Sequence, residues 1–362
     1  MTRLAALLRT RAALGLRPVT APVMVFIPIG ILLGPGGAGI ISTTVLGHLD
    51  AVISIALATL GVFIGIAAGT QRGAVRRLMT ASSVEALITI AAVAGAIYFL
   101  LGIWKIPLAL PYLAAAIALG ICASASAAPS VEAGDATARK IAARVADLDD
   151  VLPIVLGGFL IAALAPSERP AMLGALLAAA GGLAIAFSGW LLFERSEKAE
   201  RGVFVLGTLA LLGGCAAYLE LSPLLSGLAA GWFWAGTSGQ TDRVVVEELR
   251  KVQHPLVVLL LVAAGASLQA STAGVWLFAP YVVFRIAGKL IGGWTASRIA
   301  PGAAPSDLGA YLIPPGVIGI AFALNIQQIV PQAASGVVFA ACIGAIASEL
   351  LALFVTPAPR PA

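Results

Sequence analysis

The chain has 362 residues, of which 60% are hydrophobic and 11% charged, and its mean hydropathy is +1.02. A soluble domain carries about a quarter charged residues, so this composition excludes a soluble globular protein and favours a membrane protein. The net charge of +5 does not indicate nucleic-acid binding, because the basic residues stand in short loops between apolar runs. The two histidines are far apart and the three cysteines lie inside apolar runs. We therefore expect no resident metal, no cofactor, no nucleic-acid partner and no enzymatic activity.

The apolar runs predict an all-α integral membrane protein with about twelve transmembrane helices. A span needs about 20 apolar residues. The predicted spans are 20–40, 50–69, 81–103, 108–131, 146–165, 170–193, 203–219, 222–237, 253–270, 273–297, 308–328 and 334–356. We expect one membrane domain over 20–357, preceded by a cytoplasmic lead-in at 1–19 and followed by a cytoplasmic tail at 358–362.

The basic residues orient these spans. With the N-terminus inside, 18 of the 22 basic residues fall on the inner side, and only Lys105 and Arg169 fall on the outer side. Cytoplasmic loops are enriched in Lys and Arg. The pattern therefore predicts a multi-pass protein of the inner (plasma) membrane with both termini in the cytoplasm.

The fourth and eleventh spans are interrupted. The fourth contains a run of small and hydroxyl residues, Cys122-Ala-Ser124-Ala-Ser126-Ala-Ala-Pro129-Ser130, and the eleventh contains Ile313-Pro314-Pro315-Gly316. Proline removes a backbone donor and clashes with the preceding turn, so neither span stays a regular helix. The breaks lie seven spans apart, an odd number, so the helices that carry them run in opposite directions. This arrangement indicates an inverted repeat with a binding site near the middle of the membrane. The alternative is that each proline only kinks a packed helix.

The fifth span opens with three aspartates, Asp147, Asp149 and Asp150. A charged side chain at a helix centre in the membrane costs about 2.5–3.5 kcal/mol, so such residues face a cavity or a partner. Neighbouring carboxylates resist ionising together, which suits a site where a proton and a cation compete. The alternative is that the aspartates mark the helix entry, and this alternative fits Asp147 best.

The tenth span carries Arg285 and Lys289, which are four residues apart and share a helix face. Lys289 is central in its span and needs a counter-ion, for which Asp149 or Asp150 is the candidate. Arg285 either lines the site or pairs with another carboxylate. Glu85 lies toward a span end and is predicted to pair locally or to reach the membrane interface rather than to bind substrate.

Several stretches together resemble a known family. They are Gly30-Ile-Leu-Leu-Gly-Pro35, Asp149-Asp150-Val-Leu, Leu221-Ser-Pro-Leu-Leu-Ser-Gly-Leu-Ala-Ala-Gly231, Gly288-Lys289 and Pro315-Gly316. From Pro22 to Pro357 the sequence resembles the bacterial sodium/proton antiporters of the monovalent cation:proton antiporter superfamily, in the branch with paired aspartates.

The resemblance implies a core domain and a dimerisation domain, crossed broken helices, a homodimer and elevator-like alternating access. It implies that Asp150 carries the proton and binds the transported Na+, and that Asp149 is the partner of Lys289 and releases it on cation binding. Members with this aspartate pair and lysine are typically electrogenic. One departure concerns the fourth span, where alanine takes the place of the family's threonine; Ser124, Ser126 or Ser130 then lines the site instead.

The sequence thus predicts a transporter that exchanges a monovalent cation, Na+ first and Li+ or K+ as alternatives, for protons across the lipid bilayer. Two rival interpretations remain. A sodium-coupled organic-anion symporter of related fold predicts polar sodium ligands near both breaks and does not need the buried lysine. A non-transporting membrane sensor predicts correct insertion without ion-dependent proton flux.

Overall fold

The computed structural model describes residues 22–69, 76–125, 136–167, 169–197, 200–237, 241–300, 304–305 and 307–355. These residues form helices joined by short connections, with one isolated β-bridge. The helices are α1 (Pro22–Leu33), α2 (Thr43–Gly69), α3 (Arg76–Trp104), α4 (Tyr112–Ile121), α5 (Ala136–Asp149), α6 (Val151–Leu164), α7 (Ala171–Arg195), α8 (Arg201–Tyr218), α9 (Pro223–Gly236), α10 (Thr241–Ala266), α11 (Thr272–Ile299), α12 (Leu308–Tyr311), α13 (Val317–Ile329) and α14 (Ser335–Val355).

The predicted all-α membrane architecture is confirmed. Within the described ranges, seven helices are long and apolar enough to cross a membrane, namely α2, α3, α7, α8, α10, α11 and α14. Each of the twelve predicted spans overlaps one main helix, while α5 and α12 are additional segments directly before α6 and α13. The chain is therefore a multi-pass membrane protein with interrupted helices.

The weakest predicted boundary, between the seventh and eighth spans, has a clear local cause. After α8 the backbone of Glu220 takes a left-handed conformation (φ 55°), which ends the helix. The Ser222 hydroxyl then accepts a hydrogen bond from the backbone N–H of Leu225 (3.3 Å), and Pro223 occupies the first helical turn. A serine cap followed by proline is a strong helix start, so α8 and α9 are separate helices.

Several helix boundaries differ from the prediction. Helix α10 begins at Thr241, well before the predicted start at 253, because helix-forming charged residues extend it beyond its apolar part. Helix α4 ends at Ile121, although the predicted span continues to 131. Ser126, Pro129 and Ser130 of the predicted break lie outside the described residues.

The helices pack as two bundles. Helices α1, α2, α7, α8, α9 and α10 contact mainly one another and form the scaffold bundle. Helices α3, α4, α5, α11, α12, α13 and α14 form the core bundle. Helix α6 lies between the bundles, against α7 and α9 on one side and α4 and α13 on the other.

Glycine allows two close crossings within the scaffold bundle. Gly65 of α2 lies against the backbone of Gly231 of α9, and Gly30 of α1 lies against that of Gly265 of α10. At all four positions a Cβ atom would overlap the backbone of the facing helix. One crossing joins the second span to the eighth, and the other joins the first to the ninth. In a repeat of seven spans the first span corresponds to the eighth and the second to the ninth, so each crossing is the repeat-related copy of the other. This relation matches the predicted inverted repeat.

The apolar core differs between the two ends of the bundles. The largest cluster of buried apolar residues contains both scaffold and core residues, at the end where α2 begins. Toward the opposite end, one smaller cluster belongs to the scaffold bundle and another to the core bundle. The described apolar residues therefore join the bundles at one end, which the charge pattern predicts to face outward.

Candidate functional site

The two broken helices cross at the centre of the core bundle. Ala125, after the end of α4, pairs with Pro315, between α12 and α13, as an isolated antiparallel β-bridge. The Gly316 N–H donates to the Ser124 carbonyl (3.1 Å), and the Gly319 N–H donates to the Ser124 hydroxyl (2.8 Å). Pro314 and Pro315 have no backbone N–H, so α12 cannot continue into α13. The predicted break of both spans is thus observed as a crossing of extended segments.

Arg285 of α11 donates hydrogen bonds to backbone carbonyls at this crossing. Its Nη1 donates to the Ile313 carbonyl (2.5 Å), and its Nη2 donates to the carbonyls of Ser124 (2.9 Å) and Pro314 (3.2 Å). The side chain is fully buried. The guanidinium therefore contacts backbone carbonyls of both broken helices instead of the carboxylate that one sequence interpretation expected.

Lys289 lies one turn further along α11, between two carboxylates. Its Nζ is 2.5 Å from Oδ2 of Asp149, and it is 3.2 and 3.3 Å from the two carboxylate oxygens of Glu85. Glu85 and Asp149 have 0% exposure and Lys289 has 1%. A buried charge this far from water needs a partner, and here one ammonium is shared by two carboxylates.

Asp150 stands at the N-terminus of α6, immediately after the residue that holds Lys289. Pro153 cannot donate to the Asp149 carbonyl, which separates α5 from α6 at this point. Asp150 is 6% exposed, its side chain lies beside that of Ser124, and its buried Oδ1 has no hydrogen-bond partner among the described residues. Oδ1 of Asp149 is also buried and has no partner in the part of the chain that the structure describes. Unpaired carboxylate oxygens on two consecutive residues can bind a hard cation or a proton.

Sequence reasoning missed Glu85 as a member of this site. The predicted span began at 81, but α3 begins at Arg76, which places Glu85 about 14 Å along the helix at 1.5 Å per residue. Ser82, Glu85 and Thr89 are all buried, and the Thr89 hydroxyl donates to Oε1 of Glu85 (3.0 Å). Their i, i+3, i+7 spacing is a polar stripe on one helix face, and this signal was available in the sequence.

The small residues around Lys289 explain how Glu85 reaches it. Gly292 of α11 lies against the backbone of Glu85, and Gly288 lies against Thr89. A side chain at either position would push α3 away from α11. The glycines therefore bring the Glu85 carboxylate to the Lys289 ammonium.

Asp147, which the sequence assigned to the helix entry, is exposed. The structure thus buries two of the three aspartates, Asp149 at the end of α5 in the core bundle and Asp150 at the start of α6 between the bundles. Of the predicted lining serines, Ser124 lies at the site, whereas Ser126 and Ser130 lie outside the described residues, as does the predicted helix break at Pro129.

A second polar region lies where α13 meets the scaffold bundle, at the end predicted to face outward. Oδ1 of Asn325 accepts from the Ser222 hydroxyl (3.2 Å), and Nε2 of Gln328 donates to the Asp50 carbonyl (2.9 Å). Nε2 of Gln327 donates to the Ser267 carbonyl (3.2 Å). Cavities of about 440 and 340 Å³ flank these contacts. One turn of the core bundle is therefore hydrogen-bonded to three scaffold helices.

No protein-family model matches the sequence, and no curated protein matches it either. Among solved structures, the chain is similar to the sodium proton antiporter MjNhaP1 from Methanocaldococcus jannaschii. The two share 14% sequence identity, and their structures superpose with a TM-score of 0.63 over 92% of each chain. Likeness at this identity concerns the fold, and the chain has the fold of that sodium/proton antiporter.

Proposed function

We propose that this protein is a secondary active transporter that exchanges a monovalent cation for protons by alternating access. Na+ is the first candidate, followed by Li+ and K+. One observation carries the proposal: the buried Lys289 ammonium is shared by Asp149 and Glu85, beside Asp150, whose Oδ1 has no partner among the residues that the structure describes. Such a charged cluster inside a membrane domain marks an ion or proton pathway.

Charge competition at Asp150 gives the exchange its chemistry. A protonated Asp150 is neutral, and an ionised Asp150 attracts a cation, so proton and cation occupy the same carboxylate in turn. Asp149 supplies the second unpaired oxygen when it turns from Lys289 toward the cation. Glu85 then keeps the ammonium paired, because it contacts Nζ through both of its oxygens. Cation binding therefore breaks only the ion pair between Asp149 and Lys289. It does not leave the buried ammonium of Lys289 without a counter-ion.

The two-bundle architecture supports alternating access. The residues of the proposed ion site all belong to the core bundle and α6. The helices of the scaffold bundle are packed closely against one another at glycine residues. Movement of the core bundle along the scaffold bundle, as in an elevator, would expose Asp150 first to one side of the membrane and then to the other. The contacts of Asn325 and Gln328 at one end are those that such a movement must break.

The remaining features of the proposal follow from the sequence. The basic loops support a plasma-membrane protein with both termini in the cytoplasm, and the family resemblance supports a homodimer and electrogenic exchange. The symporter interpretation is weaker, because Arg285 already occupies carbonyls at the breaks where sodium ligands were expected.

Proton flux in proteoliposomes tests the proposal. Liposomes with a preset pH gradient receive Na+, Li+ or K+ in turn, with wild-type protein, Asp150→Asn or Asp147→Asn. We expect a cation to dissipate the gradient with the wild type and with Asp147→Asn, whose exposed side chain lies outside the site, but not with Asp150→Asn. Absence of any cation response from well-folded wild-type protein would contradict the antiporter and favour the sensor.

A further inference from the structure

Three side chains on one face of α11 act as donors at successive turns. Tyr281, Arg285 and Lys289 are four residues apart, and all are buried. The Tyr281 hydroxyl donates to the Cys122 carbonyl (2.9 Å) at the end of α4, and Lys289 contacts the carboxylates. Arg285 lies between them and bridges both broken helices. The two cations, although adjacent, thus have different partners.

The carbonyls that Arg285 contacts would otherwise attract a cation. They belong to Ser124, Ile313 and Pro314, which lie two or three residues beyond the ends of α4 and α12, so they have no partner within a helix, and the partial negative charge of the α4 C-terminus lies nearby. The ends of α4 and α12 meet at this crossing, and Pro314 and Pro315 provide no N–H groups to satisfy them. A guanidinium suits this geometry because its planar fork directs several donors at once, which an ammonium cannot do.

Ser124 connects Arg285 to the proposed ion site. Its carbonyl accepts from both Arg285 and the Gly316 N–H, which fixes its backbone. Its hydroxyl accepts from the Gly319 N–H and lies beside the Asp150 side chain. A displacement of the Ser124 backbone would therefore move a hydroxyl that borders the proposed ion-binding carboxylate.

We propose that Arg285 is a positioning residue, a built-in cation that occupies the carbonyls of the helix crossing and holds Ser124 against Asp150. This inference rests on the proposed cation/proton exchange. Because the guanidinium occupies three carbonyls, the transported cation is left with the carboxylate and hydroxyl oxygens of Asp149, Asp150 and Ser124. Arg285 thereby acts on cation affinity through Ser124 without contacting the cation.

The test compares Arg285→Gln and Arg285→Lys with wild type in two assays. One is the cation concentration for half-maximal exchange in proteoliposomes, and the other is the cation-dependent rise in melting temperature of purified protein. We expect Arg285→Gln to raise the half-maximal concentration roughly 10-fold to 100-fold, the range for residues that orient a metal ligand. Arg285→Lys should recover part of this loss, because it keeps the charge but not the fork.

A control and a second variant separate positioning from a general loss of packing. Ser226→Ala removes a buried hydrogen bond to the Ala178 carbonyl within the scaffold bundle, which includes none of the site residues, and should leave the half-maximal concentration unchanged. If Arg285→Gln does not fold, Ser124→Ala takes its place and should raise the half-maximal concentration similarly.

The outcomes distinguish this role from the proposed function. A normal wild-type response with wild-type half-maximal concentrations in the Arg285 variants, or in Ser124→Ala, overturns the positioning role alone. If the wild-type protein responds to no cation in either assay, both the proposed function and this role are overturned.

Discussion

Replacing Lys289 with Met should strongly destabilise the protein. The substitution keeps a long side chain but removes the ammonium shared by Asp149 and Glu85, both of which have 0% exposure. Removing one partner of a buried ion pair costs about 3–5 kcal/mol, because a buried charge is left without compensation. Here two carboxylates lose their counter-ion, so we expect the upper part of this range.

Thermal denaturation of detergent-purified protein measures this cost. The shift in melting temperature per kcal/mol falls with chain length and is about 1–2 °C for a protein of this size, so the melting temperature should fall by roughly 3–10 °C. Wild type and variant must be heated at one scan rate, because unfolding of such proteins is often irreversible. Adding Glu85→Gln to Lys289→Met should restore part of the loss, since it removes one of the two unpaired charges.

The control is Lys251→Met. Lys251 pairs with Glu248 at 2.6 Å, but its side chain is 60% exposed. Water screens an exposed pair, so its loss should change the melting temperature little. If Lys289→Met melts at the wild-type temperature, the shared ion pair does not stabilise the core bundle and the reasoning is refuted.

Three further predictions concern other contacts. Glu85→Gln alone should lower the free energy of unfolding by about 1–3 kcal/mol, less than Lys289→Met does, because Lys289 still pairs with Asp149; melting experiments measure this loss. Gly227→Ala should destabilise by about 1–3 kcal/mol or more, since its methyl group would overlap the α2 backbone, whereas Gly207→Ala, with open space around it, should be neutral or stabilising. A disulfide between Ser222→Cys and Asn325→Cys, in protein whose native cysteines are replaced, should stop cation exchange by joining α9 to α13, and reduction should restore it.

Each of these predictions has an outcome that contradicts it. Equal losses for Glu85→Gln and Lys289→Met would mean that Glu85 is as essential to the ion pair as the lysine itself. Equal melting temperatures for the two glycine variants would argue against the close α2–α9 crossing. Undiminished exchange through the cross-linked protein would show that the bundles do not move apart at Asn325.

Much of the fold could be predicted, because a helix that crosses the membrane needs a long run of apolar residues, and such runs are visible in the sequence. Apolar length located every main helix, and Pro314 and Pro315 located one break directly, since proline has no N–H to donate. Boundaries were less accurate where charged residues continued a helix beyond its apolar part, as at the start of α10.

The site was only partly predictable. Asp149 and Lys289 stood out as charges inside apolar runs, and the structure places them in contact. Glu85 was missed because the predicted span began five residues too late, which placed a buried carboxylate near the membrane surface. The partners of Arg285 could not be inferred, since they are backbone carbonyls, and the carbonyls that an interrupted helix presents depend on tertiary structure.

The most direct test of the account is whether cation binding releases a proton from Asp150. Na+ or Li+ would be added to purified protein in weakly buffered solution containing a pH indicator, with wild type and Asp150→Asn compared. We expect the wild-type solution to acidify in proportion to the protein and the variant solution to stay unchanged. Cation binding without proton release, or equal release from Asp150→Asn, would contradict a shared proton and cation site.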